Sequence, residues 1–294
     1  MIPLLDQYQL VTSGSLGEAL DDLARHPAAR PFAGGTDLMV VLEAGHLPPG
    51  RYVSLQNCRE LRGIDEGNGA DAGVSIGALT TYTEIRRSAR LAADYPMLRT
   101  AAGETGGLAT QNRGTIGGNI ANASPAADTP PALLVYDASL DLMSKTGTRR
   151  VPYAAFHTGY KKMDLAPGEI VARIHLPPRP PGWRDYYRKV GTRRAQAISK
   201  VCFAGALRMD GDVVTDARIA LGSVAPTPLR AIRTEAALRG KRLNDAAIRS
   251  AQQILTSEIA PIDDIRSTAA YRKRVAANLL REMLRSAESS IPNP

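Results

Sequence analysis

Cysteine is nearly absent from this chain: Cys58 and Cys202 are the two in 294 residues. They stand far apart in no paired spacing, which excludes a disulfide framework, a zinc site or a cluster motif as an organising feature. Each reads as a small apolar core residue. The four histidines have no ligand spacing, and His157 reads as a satisfied edge residue. Aromatic residues make up only 5%, so the cores must be built from Ala, Leu, Val and Ile. No apolar run approaches the roughly 18 residues of a membrane span. The start, Met1-Ile-Pro-Leu-Leu-Asp6, lacks the basic head and apolar core of a secretory leader, so the cytoplasm is the expected location. There is no P-loop, nucleophile triad or paired-carboxylate pattern, and accordingly no catalytic residue and no metal ligand is expected.

What is present describes an ordinary globular chain, 44% hydrophobic and long enough for one large or two modest domains. The net charge of +8 is unevenly placed. Residues 1–177 carry 16 Lys and Arg against 18 Asp and Glu, and residues 178–294 carry 21 against 11. No basic-aromatic interleaving accompanies this excess, which disfavours nucleic acid and leaves an acidic partner, an anionic cofactor or a solvated face. Arg193 and Arg194 are the residues through which such docking is expected. Pro177-Pro-Arg-Pro-Pro-Gly182 breaks all periodicity and marks the boundary between residues 1–177 and 178–294.

Helical spacing with Ser13 or Ser15 as cap predicts a helix over 16–25, and Thr81-Tyr-Thr-Glu84 a capping box. Hairpins are expected at 61–76, around a turn whose Gly67-x-Gly69-x-x-x-Gly73 leads into a strand and so fails as a dinucleotide fingerprint, and at 139–151. After the boundary, strands at 183–190, 200–208 and 213–221 precede helices near 231–238, 245–255 and 268–284, the last with Ser267 as its expected cap. That order describes an α+β module.

Two glycine junctions carry the chemistry. The first, Ala33-Gly-Gly-Thr36, follows a short strand and precedes a helix that Thr36 or Asp37 would cap. The second lies in Gln111–Pro131, a Gly-, Asn-, Ser- and Pro-rich stretch that reads as a loop. Asp128 is expected to cap the helix that begins at Pro130. Glycine-rich turns before helices suit a phosphate ligand, because free N–H groups and the positive end of the helix dipole converge there. An elaborate structural turn is the alternative that local chemistry leaves open.

Taken together, Pro31-Phe-Ala-Gly-Gly-Thr-Asp-Leu38 and Thr115-Ile-Gly-Gly-Asn-Ile-Ala-Asn-Ala-Ser-Pro-Ala-Ala-Asp128 resemble the FAD-binding medium subunits of molybdenum hydroxylases such as xanthine and carbon monoxide dehydrogenase. Gly159-Tyr-Lys-Lys162, Ile198-Ser-Lys-Val201 and Leu221–Arg230 extend the likeness across the chain. The resemblance implies a two-subdomain FAD-binding domain of the PCMH/VAO type, with subdomains about 1–56 and 57–177. A C-terminal α+β domain with an antiparallel sheet packed by helices would follow.

Residues Pro31, Phe32, Ala33, Gly34, Gly35, Thr36, Asp37 and Leu38 would wrap the pyrophosphate of FAD. Thr115, Ile116, Gly117, Gly118 and Asn119 would form the second wall. Glycines there would let backbone donors approach the phosphates without Cβ obstruction. Asp128 would accept from a ribityl or ribose hydroxyl or cap its helix. Ile198 and Lys200 would lie over the isoalloxazine, with ordinary core and solvated strand as the plainer alternatives. The resemblance further implies a large molybdenum–pterin subunit and a small subunit with two [2Fe–2S] clusters, as a dimer of heterotrimers, with NAD+, a quinone or oxygen as acceptor. A purine or other N-heterocycle is the favoured substrate, with carbon monoxide and aldehydes as rivals. Ser124–Asp137 runs on without a cysteine-bearing insertion, which disfavours the branch that includes 4-hydroxybenzoyl-CoA reductase. A flavin-free binding protein on the same fold is the alternative of another class.

Overall fold

The computed structural model describes residues 5–67, 72–193 and 196–288. The tip of the 61–76 turn and Arg194 lie outside the described residues. The chain opens with a parallel sheet in the order β1-β3-β2, formed by β1 (Tyr8–Thr12), β2 (Arg30–Phe32) and β3 (Gly50–Ser54). Helix α1 (Leu16–Arg25) crosses between β1 and β2, and the Ser15 hydroxyl accepts from the Glu18 amide at 3.2 Å to start it. Its Leu16, Ala19, Leu20 and Leu23 pack on Val53, Leu55 and Cys58. Helix α2 (Leu38–Glu43) buries none of its side chains.

A five-stranded antiparallel sheet follows, ordered β4-β5-β10-β6-β7. Its strands are β4 (Ile64–Asp65), β5 (Val74–Gly77), β6 (Ser139–Ser144), β7 (Gly147–Pro152) and β10 (Ile170–Leu176). Between β5 and β6 the chain runs through α3 (Tyr82–Arg87), α4 (Ala89–Asp94), α5 (Pro96–Glu104), α6 (Leu108–Arg113), α7 (Ile116–Ala121) and α8 (Pro130–Val135). The Thr81 capping box forms as expected, and Ser88 ends α3 by capping α4 in turn. After β7 come α9 (Tyr153–Phe156) and a small hairpin of β8 (His157–Gly159) and β9 (Lys162–Met163). The glycine-rich stretch is not one loop: α6 ends in it, α7 occupies its middle and α8 starts at its end.

The C-terminal part is an antiparallel sheet of β11 (Trp183–Val190), β12 (Val201–Asp210), β13 (Val213–Gly222) and β14 (Leu229–Arg230), covered by α10 (Ile232–Leu238), α11 (Asp245–Glu258) and α12 (Ala269–Glu288). Thr268, not Ser267, starts α12, its hydroxyl accepting from the Tyr271 amide at 3.2 Å. Period-two alternation divides the faces of β12. Val201, Phe203 and Leu207 point to the helices, whereas Ala204 and Ala206, with Ala220 of β13, belong to the core of the preceding sheet and helices.

Those small alanines let α8 lie close to the C-terminal sheet. All six α8 side chains are buried, and its two prolines sit in the first turn, where their missing N–H groups are not needed. Its carbonyl end is held from the C-terminal sheet. Arg230 donates to Leu134 O at 2.7 Å and Arg218 to Val135 O at 3.2 Å, and each pairs with Asp137 at 2.7 Å. Cations at a helix C-terminus complement its dipole. Much of the basic excess after residue 177 is therefore structural. Arg272, 3% exposed, pairs with Asp264, and Arg179 pairs with Asp185.

Replacing the fully buried Leu133 of α8 by alanine is expected to lower the unfolding free energy by about 2–5 kcal/mol. Ile265→Ser, at a fully exposed side chain, should change it by less than about 0.5 kcal/mol. Chemical denaturation of the two variants measures both.

Candidate cofactor-binding site

The first junction forms where β2 runs out at Phe32. Gly35 adopts φ 75°, and a Cβ on it would lie 2.6 Å from the Phe32 ring, so glycine is required twice over. Gly34, Gly35 and Thr36 are half-buried, yet their amides donate to no protein group among the described residues. Backbone donors in such positions need a partner from solvent or a ligand. The expected helix cap does not form: Asp37 lies in the right-handed helical region and makes no capping bond. Pro31 is exposed on an edge strand, where its missing donor costs nothing.

The second junction behaves differently. The Thr115 side chain caps α7 by accepting from Gly118 N at 3.2 Å. Ile116 N donates to Thr80 O at 3.0 Å, Gly117 N to Ala78 O at 2.8 Å and Asn119 N to Thr115 O at 3.0 Å. The start of α7 is thus fastened to the end of β5 with its amides consumed, and the expectation that both junctions present backbone donors holds for the first alone.

The glycines also serve another purpose than the sequence implied. A Cβ on Gly34 would run into the Arg113 carbonyl, and one on Gly117 would lie 2.5 Å from Ala78 Cβ. A Cβ on Gly118 would stand 3.6 Å from Ala33 Cβ. Arg113 Nε donates to Gly34 O at 3.4 Å. Missing side chains let the two junctions and the β5 end touch one another.

What the α7 wall offers is side chains. Asn119 Oδ1 accepts from Thr129 Oγ1 at 2.6 Å, which fixes the carboxamide and turns its NH2 elsewhere. Asn122 O and Oδ1 accept from Lys161 Nζ at 2.7 and 2.8 Å. Burial lowers the Lys161 pKa, and the Asp37 charge acts to raise it. Lys161 is therefore fastened to the end of α7 and feels the charge of Asp37. It sits at φ 56° in the turn of the β8–β9 hairpin.

Asp128 caps no helix. The residue is 6% exposed, with Oδ2 2.7 Å from Lys189 Nζ and Oδ1 accepting from Ser199 Oγ at 2.5 Å. Its carbonyl accepts from Tyr187 OH at 3.1 Å. Burial pushes the carboxyl pKa up, opposed by the Lys189 ammonium and the Ser199 hydroxyl. Ile198, next to Ser199, is 55% exposed, which excludes the core alternative for it. Lys200 Nζ lies 5.4 Å above the Tyr271 ring. Lys189 and Ser199 escaped sequence reading because a lone Lys on a strand and a lone Ser in a loop carry no spacing signal. Two open cavities elsewhere, about 380 Å3 beside Arg150 and His175 and about 790 Å3 beside Arg208 and Asp216, are not lined by any of these residues.

His157 Nε2 meets the Ile120 carbonyl of α7 at 3.0 Å, and burial lowers its pKa below 6.5. The ring is neutral and donates. A base whose folded pKa is depressed binds fewer protons folded than unfolded, so stability is full above pH 6.5 and falls as pH drops below it. Acidification from about pH 7.5 to about pH 5.5 should therefore destabilise the protein, and His157→Gln should reduce that loss. Urea midpoints at the two pH values measure it; an equal loss in both proteins would contradict the assignment.

With this geometry in view, comparison with known proteins is direct. Residues 6–179 match the family model described as FAD binding domain in molybdopterin dehydrogenase, and residues 186–287 match the CO dehydrogenase flavoprotein C-terminal domain. The glyceraldehyde dehydrogenase medium chain of Sulfolobus acidocaldarius is 34% identical over 92% of this chain and 94% of its own. The xanthine dehydrogenase FAD-binding subunit of Escherichia coli O157:H7 is 31% identical over 94% of each. Among solved structures, a chain of the carbon monoxide dehydrogenase of Hydrogenophaga pseudoflava aligns with a TM-score of 0.90 at 30% identity, covering 96% of this chain and 97% of that one. Sequence motifs, sheet order and the facing glycine junctions converge on one conclusion: the chain belongs to the FAD-binding medium subunits of the molybdenum hydroxylase family of oxidoreductases.

Proposed function

We propose that this chain is the electron-transfer subunit of a heterotrimeric molybdenum hydroxylase and holds FAD between its two glycine junctions. The observation that carries the reading is the set of half-buried, unpartnered amides of Gly34, Gly35 and Thr36, facing a wall built on α7. These donors suit a pyrophosphate, and the walls that carry them are fixed by contacts that tolerate no Cβ. The FAD-binding domain is taken as residues 1–177 and the C-terminal domain as 178–294. Thr115 to Asn119 make the second wall, which offers the Asn119 carboxamide, and Ile198 and Lys200 lie on the C-terminal side of the cleft. Asp128 stays at the cleft's edge as a fixed carboxylate.

Bound FAD supplies two-electron and one-electron chemistry; the chain supplies position, electrostatics and solvent exclusion. No side chain needs to act as nucleophile or base. Electrons would arrive from two [2Fe–2S] clusters of a small subunit, after substrate oxidation on a large molybdenum–pterin subunit, in a dimer of heterotrimers. They would leave to NAD+, a quinone or oxygen. A purine or other N-heterocycle is the substrate we favour. An aldehyde is the second reading, favoured by the 34% identity to a glyceraldehyde dehydrogenase medium chain. No helix among the described residues is long and apolar enough to cross a membrane, and we place the complex in the cytoplasm.

The full-length chain is expected to take up about one FAD, released on denaturation. Gly117→Val should take up none, because its side chain would displace Ala78 and the start of α7. The fluorescence of Trp183, the single tryptophan, should stay native-like and report an intact C-terminal sheet. Normal flavin content in that variant, or a wild-type chain that stays colourless after reconstitution, would sink the assignment.

A further inference from the structure

The segment between β11 and β12 ends in three residues with very different surroundings. Ile198 is 55% exposed, Ser199 is fully buried, and Lys200 reaches the Tyr271 ring. Ser199 is gripped from two sides. Its hydroxyl donates to Asp128 Oδ1 at 2.5 Å, and its carbonyl accepts from Ser223 Oγ at 2.9 Å.

Ser223 is itself tightly determined. It has φ 66°, a left-handed conformation rarely adopted by a residue with a side chain. Its amide donates to Pro125 O at 2.7 Å, and its carbonyl accepts from Arg272 Nη1 at 2.9 Å. Arg272 is buried and paired with Asp264 at 2.6 Å. Strained backbone of this kind persists only where its surroundings over-determine it. The bonds connect the Pro125–Asp128 turn of the first part of the chain, the segment before β12, the end of β13 and α12. None of them is needed to close a helix or a sheet.

We propose that Ser199 and Ser223 are positioning residues. Their clasp on Asp128 and Pro125 sets how far Ile198 and Lys200 reach over the cofactor cleft, and thereby how exposed the flavin ring is to solvent and to an electron acceptor. The proposal rests on the assignment of that cleft to FAD. With Ser199 turned inward, Ile198 is left exposed and Lys200 is held against the Tyr271 ring, so the clasp controls both without touching the flavin itself. Loosening it should free the segment while leaving the pyrophosphate amides of the first junction untouched.

The test uses the full-length chain carrying Ser199→Ala or Ser223→Ala. Loaded with FAD, each variant should keep its flavin stoichiometry, while iodide quenching of flavin fluorescence rises at least about threefold. Without FAD, tryptic cleavage after Lys200 should become about tenfold faster, more than any fall in the global unfolding midpoint accounts for. The two arms separate the two ideas. A wild-type chain that takes up no FAD defeats the cofactor assignment, and the protease arm then decides the clasp alone. Unchanged cleavage in both variants overturns the clasp. So does unchanged quenching in chains that hold FAD, or loss of FAD in step with global destabilisation.

Discussion

The structure depends on a buried carboxylate. Asp128 sits where the glycine-rich stretch turns into α8, and it meets Lys189 and Ser199 from the C-terminal part at 2.7 and 2.5 Å. Lys189 is also buried, and its amino group bonds Glu104 O at 2.8 Å, so one cation ties together α5, the turn before α8 and β11. Taking both charges out of water is costly, and only their mutual contact with added hydrogen bonds offsets it. Such a pair adds little net stability, but an arrangement lacking either partner is penalised by about 3–5 kcal/mol. It therefore acts mainly by specifying how the C-terminal sheet meets the turn. The apolar contact behind it, α8 against Ala204, Ala206 and Ala220, supplies the area, and Arg218 and Arg230 close the far end of the helix.

From that seam the proposed cofactor cleft follows in two steps. The second wall is rigid because α7 is bonded through Ile116, Gly117 and Gly118 to the end of β5 and to its own cap. The first junction is placed against it by the close approach of Gly34 to the Arg113 carbonyl. Among the described residues, the amides of Gly34, Gly35 and Thr36 have no protein acceptor, whereas those of Ile116, Gly117, Gly118 and Asn119 do. In the proposed cleft this asymmetry would have a chemical meaning: one wall would give backbone donors to an anion, and the other would give the oriented carboxamide of Asn119 and the Lys161 ammonium beside Asn122.

Much of this was legible in the sequence. Capping at Ser15 and Thr81, the hairpins and the α+β order of residues 183–288 are local signals, and local hydrogen bonding realises them. The two junctions were visible as motifs, but the use of their glycines was not. A glycine that makes room for a neighbouring backbone reads the same in sequence as one that makes room for a ligand. Asp128 shows the same limit: Asp-Thr-Pro is a sound helix-start pattern, yet tertiary partners about sixty and seventy residues away claimed the carboxylate. The basic excess after residue 177 left an acidic partner, an anionic cofactor or a solvated face open, and sequence alone did not show that Arg218, Arg230 and Arg272 are spent on carbonyls and carboxylates inside the fold. Helix α7 was hidden because Gly and Asn are poor helix formers, and its start is held by bonds to Thr80 and Ala78 that no local pattern encodes.

The division of labour between the walls is the central claim, and amide NMR of the full-length chain titrated with FAD tests it most directly. The account predicts large downfield shifts of the Gly34, Gly35 and Thr36 amide protons as they gain a phosphate acceptor. The amides of Ile116, Gly117 and Asn119, already bonded within the protein, should keep their hydrogen-bonded positions and their slow exchange. The reverse pattern, with the first junction unmoved and the α7 amides released to the ligand, would contradict it.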